Sequence, residues 1–185
     1  MATGQMILIA GLYLAALVAV AYLTRAKVRR IEGALAGGAV FGVVALLAVA
    51  LGEARSWWRV PEASSSHFQL LLWLGVAVSC VPVYLITWRV ARRFGERGLA
   101  VCVLAAAIIG PPRDYCLAAT FPAWMVFSAG IAPVLADATI YALLVVVGHA
   151  VMRLVAGPAQ GDSLARRLSG AEKNGAGATS GKGTK

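Results

Sequence analysis

Residues 108–124 read IIGPPRDYCLAATFPAW: an apolar run is interrupted by Pro-Pro-Arg-Asp and then resumes with residues oily enough for lipid. Pro111 and Pro112 each lack an amide proton, and the second disfavours the helical region for the first, so an unbroken helix is not expected across them. The run therefore ends near Gly110, short of a full membrane crossing. Residues 111–128 then cover the remaining depth as a bent, partly re-entrant segment, which a bilayer tolerates only where protein buries it or water lines it. On this reading the break exists to deliver Arg113 and Asp114 to membrane depth.

The rest of the chain sets that stretch in a membrane protein. Of 185 residues, 60% are hydrophobic and 14% charged, and the mean hydropathy is +0.78. That is too little polar surface to coat a soluble globule, and several apolar runs match the roughly 20 residues that cross a bilayer. The expected architecture is an all-α integral membrane protein with about five transmembrane helices. The spans fall at 5–24, 33–52, 68–88, 98–110 with the bent segment 111–128, and 129–152. Residues 1–156 form one polytopic membrane domain. The tail, 157–185, is rich in Gly, Ala, Ser and Lys without an apolar period, and is expected to be a disordered cytoplasmic segment attracted to anionic lipid. In the first span the positive charge follows the apolar core, the reverse of a secretory signal, so a retained helix is expected.

Charge fixes the orientation. The net charge is +9, and 14 of the 17 basic residues fall in segments 25–30, 89–97 and from Arg153 onward. The positive-inside rule makes that side cytoplasmic, with the N-terminus outside and the C-terminus inside the cell membrane. Arg55, Arg59 and Arg113 remain outside. Tyr22, Tyr84 and Trp88 are expected at the inner interface, and Trp57, Trp58 and Trp124 at the outer one. No basic stripe is interleaved with stacking aromatics, which argues against nucleic acid as a partner.

Packing signals come from small residues. Gly33 and Gly37, and again Gly38 and Gly42, keep GxxxG spacing in the second span, and Gly11, Ala15 and Ala19 repeat it on the first. With short loops these helices are expected to find partners inside one chain before a second copy. YLTRAKVRR at 22–30 also resembles YLITWRVARR at 84–93, a faint repeat that positive-inside selection alone can produce. Pro82 is expected to kink the third span.

The chemistry collects on the outer side. Glu53, Glu62, Asp114 and Asp137 lie there with Arg113 and several aromatic rings. Asp137 stands inside the fifth span, where a carboxylate costs about 2.5–3.5 kcal/mol on insertion scales and needs a partner, a water-filled cavity or a proton. Arg113, Asp114 and Asp137 are therefore expected to meet, as a structural tie or as a functional pocket. The candidate catalytic residues are Asp137, Asp114, Arg113, Glu53 and Glu62. No HExxH, GxSxG, P-loop or GxGxxG occurs, His67 and His149 lie on opposite sides, and the three cysteines show no CxxC, so neither metal nor cofactor is expected. Small size and absent catalytic motifs favour a non-catalytic accessory or assembly subunit, with membrane lipid and a protein partner contacting its outer loops or small-residue faces. The alternative is an intramembrane enzyme acting on a lipid or isoprenoid through the outer carboxylates, for which the acidic, aromatic loop GEARSWWRVPE offers a setting.

Overall fold

Gly95 and the small residues of the second helix determine how the chain folds back on itself. The computed structural model describes residues 3–61 and 63–157, most of them helical. Five helices follow in order: α1 (Thr3–Thr24), α2 (Val28–Ala54), α3 (Ser66–Ser79), α4 (Val81–Thr120) and α5 (Ile131–Ala156). Three stretches, Val28–Ala54, Ser66–Thr120 and Ile131–Ala156, are long and apolar enough to cross a membrane. The tail from residue 158, and the expectation of its disorder, lie outside the described residues.

The 40 residues of α4 are two arms joined at Gly95, whose φ of 65° and ψ of −144° belong to a region that residues with a Cβ adopt only under strain. Beyond it the second arm returns along the first. Gly98 stands so close to Val90 and Phe94 that an added Cβ would lie 3.0 Å from the Val90 carbonyl oxygen. The segment 89–97, expected from the sequence to be a basic stretch between two spans, is thus helix up to the reversal. Pro82 at the start of α4 coincides with the junction to α3, where Cys80 remains near helical geometry, so the two helices together make one bent rod.

The Pro-Pro expectation is overturned. Helix α4 runs through Pro111 and Pro112 to Thr120, and no bent segment begins at 111. Two prolines remove two amide donors and leave the carbonyls of Ala107 and Ile108 without their usual partners. Unwinding 111–128 in an apolar medium would instead orphan backbone groups along the whole segment, so continuing the helix is the cheaper alternative. Gly110 and Pro111 are buried, while Pro112 is exposed. The irregular connection is confined to residues 121–130 and carries the short strand β2 (Val126–Phe127).

Helix α2 is the central element because its two overlapping GxxxG pairs face different neighbours. Gly33 and Gly37 approach α5, where a Cβ on Gly37 would stand 2.6 Å from the Gly148 carbonyl oxygen. Gly38 and Gly42 approach Ala77 and Trp73 of α3, and the Trp73 indole donates to the Ala39 carbonyl at 2.9 Å. Such contacts bring backbones together where lipid supplies no hydrophobic drive for association. The resulting core holds Ala34, Phe41, Val81, Tyr84, Leu85, Trp88 and Met152. Tyr84 and Trp88 are thus packed in the core, whereas Tyr22 is exposed. Gly148 makes the room for the Tyr84 ring, and Arg30 caps the Trp88 face at 4.0 Å. Helix α1 packs on α4 and is tied there by Arg89, which donates to the Thr24 carbonyl at 3.2 Å.

At the opposite end of the bundle, β1 (Trp58–Arg59) pairs antiparallel with β2, Trp58 opposite Phe127. The Ser128 amide and hydroxyl both donate to the Trp57 carbonyl, at 2.9 and 2.8 Å. Trp58 is buried against Gly52, with its indole directed at the Val49 carbonyl, and its ring meets Phe127 edge-on at 5.9 Å. Tyr115 stacks on Phe127 at 4.2 Å. The α2–α3 and α4–α5 connections are thereby fastened into one aromatic roof.

Candidate functional site

Beneath that roof the helices leave a cavity of about 250 Å³. Its walls come from every long element except α1: Phe41 and Val49 on α2, Phe68 and Leu72 on α3, Leu117 and Ala118 on α4, Ile140 and Leu144 on α5. Trp58 and Trp124 line it at the roof. The lining is largely apolar; besides Ser79 and Cys80 at the α3–α4 junction, its polar side chains form one cluster, Arg113, Asp114, Asp137 and Tyr141.

Local sequence explains how the cluster assembles. Asp137 and Tyr141 are four residues apart on α5 and so share one face. Gly110 lacks the side chain that would collide with the Tyr141 ring, so the second arm of α4 crosses α5 at this point. One helical turn further along α4, Asp114 then lies within reach of the phenol. Tyr141 donates to Asp114 Oδ2 at 2.9 Å, and the other carboxylate oxygen faces Arg113 Nε at 3.3 Å. The guanidinium also stands 5.9 Å from the centre of the Tyr141 ring. Both oxygens of Asp114 are thus engaged. Asp137 differs: it is only 5% exposed, and its Oδ2 has no hydrogen-bond partner among the described residues.

Of the five candidates from the sequence, four lie among the described residues, and three of these come together. Arg113, Asp114 and Asp137 converge on one cavity, although the recorded ion pair joins Arg113 to its neighbour Asp114 and not to Asp137. They reach this depth because α4 stays helical for two further turns, not because it breaks. Glu53 points elsewhere: its Oε1 accepts the Val60 amide at 2.9 Å and ties the end of α2 to the loop beneath the roof. Glu62 lies outside the described residues. Tyr141 was missed by sequence reasoning, although its spacing of four from Asp137 is a legible signal. Among the described residues no group of three or more His, Cys, Asp or Glu could hold a metal ion.

A carboxylate facing an apolar cavity can accept a hydrogen bond or exchange a proton with whatever occupies it. The neighbouring Tyr141–Asp114–Arg113 chain fixes the surrounding dipoles. Comparison of the chain with protein-family models, with curated proteins and with solved structures yields no significant match.

Proposed function

We propose that this chain is a polytopic cell-membrane protein that binds an amphiphilic, lipid-like molecule in the outer half of the bilayer and acts on its polar end through Asp137. The observation that carries this reading is the buried Asp137 Oδ2, which has no hydrogen-bond partner among the described residues and lines a largely apolar cavity. Burying a carboxylate in a spanning helix is costly, and such residues commonly mark functional pathways. Small-molecule pockets combine apolar walls with few polar groups in the same way. Asp137 serves as proton donor or acceptor, while Arg113, Asp114 and Tyr141 hold the site's geometry.

The proposed topology has five crossings, with the N-terminus outside and the C-terminus inside. Helix α1, helix α2, α3 with the first arm of α4, the second arm of α4, and α5 make the five segments. The cationic residues around Trp88, including Arg30 and Arg92, favour a cytoplasmic location for that end, which leaves the aromatic roof outside.

A second reading, an accessory subunit seated on a protein partner, draws on α1. Among the described residues no other element comes within 4 Å of a Cβ built on Gly11, so the small-residue face it shares with Ala15 and Ala19 has room for another helix. One experiment separates the two. Native mass spectrometry of the full chain released from membranes is expected to show a bound amphiphile, and Ala118→Trp, which fills the cavity, is expected to remove it without unfolding the protein. Wild-type protein free of any such adduct, or an adduct that survives Ala118→Trp, would overturn the pocket assignment in favour of the accessory role.

A further inference from the structure

The polar cluster also restricts the head group that the cavity can hold. Resting on the pocket assignment above, we infer that the site selects an amphiphile whose polar end donates hydrogen bonds and carries no phosphate, namely a long-chain alcohol or amine.

The argument is one of unfilled hydrogen-bond capacity. Asp114 already has a partner on each oxygen, Arg113 on one and Tyr141 on the other, and is the better satisfied of the two carboxylates. Arg113 brings the cluster's only positive charge, and its recorded ion pair is with Asp114 through Nε. Asp137 Oδ2 is the buried acceptor at the cavity wall that has no hydrogen-bond partner among the described residues. An acceptor of this kind is completed by a hydroxyl or ammonium group. Counting formal charges, two carboxylates face one guanidinium. A phosphate added to this group would set further negative charge beside Asp114 and Asp137 in a low-dielectric setting, where like-charge juxtaposition is strongly unfavourable.

The walls accommodate the rest of such a molecule. Phe68, Leu72 and Val76 of α3 face Leu117 and Ala118 of α4 across the cavity, each of these residues only half-buried. An alkyl chain held between them keeps its head at Asp137, and Trp58 and Trp124 close the side nearest the roof.

Binding of dodecanol, dodecylamine, dodecyl methyl ether and dodecyl phosphate to the full chain, purified in a sterol-based detergent that offers no competing linear chain, tests the inference. The alcohol and the amine are expected to bind at least roughly tenfold more tightly than the ether, which has an oxygen but no donor, and than the phosphate. Asp137→Ala should abolish that preference. Asp137→Asn, nearly isosteric, should weaken the amine more than the alcohol, since it removes the charge and keeps an acceptor. A phosphate that binds most tightly, with the gain lost in Arg113→Ala, would overturn the head-group inference and leave the pocket intact. Equal binding of all four probes would do the same. If none binds, and Ala118→Trp changes nothing, the pocket assignment itself fails.

Discussion

Tyr141 joins the polar residues of α4 to those of α5, and its removal isolates what each contact contributes. Tyr141→Phe leaves the ring over Gly110 but takes the donor from Asp114 Oδ2, so thermal stability in detergent should fall by about 1–2 kcal/mol, the cost of a lost hydrogen bond to a charged acceptor. Coupling should follow the recorded contacts. Arg113→Ala and Asp114→Ala, combined, should cost less than the sum of the two single changes, whereas Arg113→Ala with Asp137→Ala should be closer to additive. Equal coupling for both pairs in thermal denaturation would contradict this arrangement. The sequence made Asp137 conspicuous because a carboxylate within an apolar run needs an explanation. It also suggested that Arg113 and Asp114 would share its depth. Which carboxylate the arginine faces depends on a side-chain distance of a few ångströms, set by the crossing at Gly110, and nothing in the residue order specifies that.

Among the elements, the positions of helices were more legible than their ends. Apolar length located α2 and α5, and the GxxxG pairs marked the faces of α2 that meet neighbours. Two contrasting substitutions test that packing. Gly38→Ala drives a Cβ into the Ala77 backbone of α3, which cannot turn aside as a side chain could, and should cost about 1–3 kcal/mol or more. Gly75→Ala meets open space on α3 and should be neutral, or stabilising by roughly 0.5–1 kcal/mol through helix propensity. Melting temperatures that move together for the two variants would deny the α2–α3 seam. The Pro-Pro stretch was misread because the local rule about proline was given more weight than the cost of unwinding in lipid, where every unwound residue leaves two backbone groups in need of partners, against the two carbonyls that a continued helix leaves open. It follows that Pro112, exposed and lacking a packing role in the core, should be replaceable. Pro112→Ala restores a donor to the Ile108 carbonyl and should maintain or raise thermal stability; a marked loss would show that the proline itself shapes the helix.

For the molecule as a whole, one physical asymmetry links the fold to its orientation. The end that carries Gly95 is basic: Arg30 and Arg92 cover Trp88, and Arg89 reaches the end of α1. The other end has an aromatic roof over the cavity that holds Arg113, Asp114, Asp137 and Tyr141. Positive charge beside a span resists translocation, so the proposed arrangement retains the Gly95 end in the cytoplasm and exposes the roof. The cavity then opens among lipids of the outer half, the depth at which an amphiphile with its head near the surface resides. Truncated fusions to a reporter that is active only after translocation test this directly. A fusion after His67, at the start of α3, is expected to be active, and one after Arg93, just before the Gly95 reversal, inactive. Because α3 and the first arm of α4 together form the segment between these two points, a single pair of fusions measures whether that bent rod crosses the bilayer. Activity at both sites would mean that it does not cross, and activity only after Arg93 would invert the bundle and place the Asp137 cavity in the cytoplasmic half.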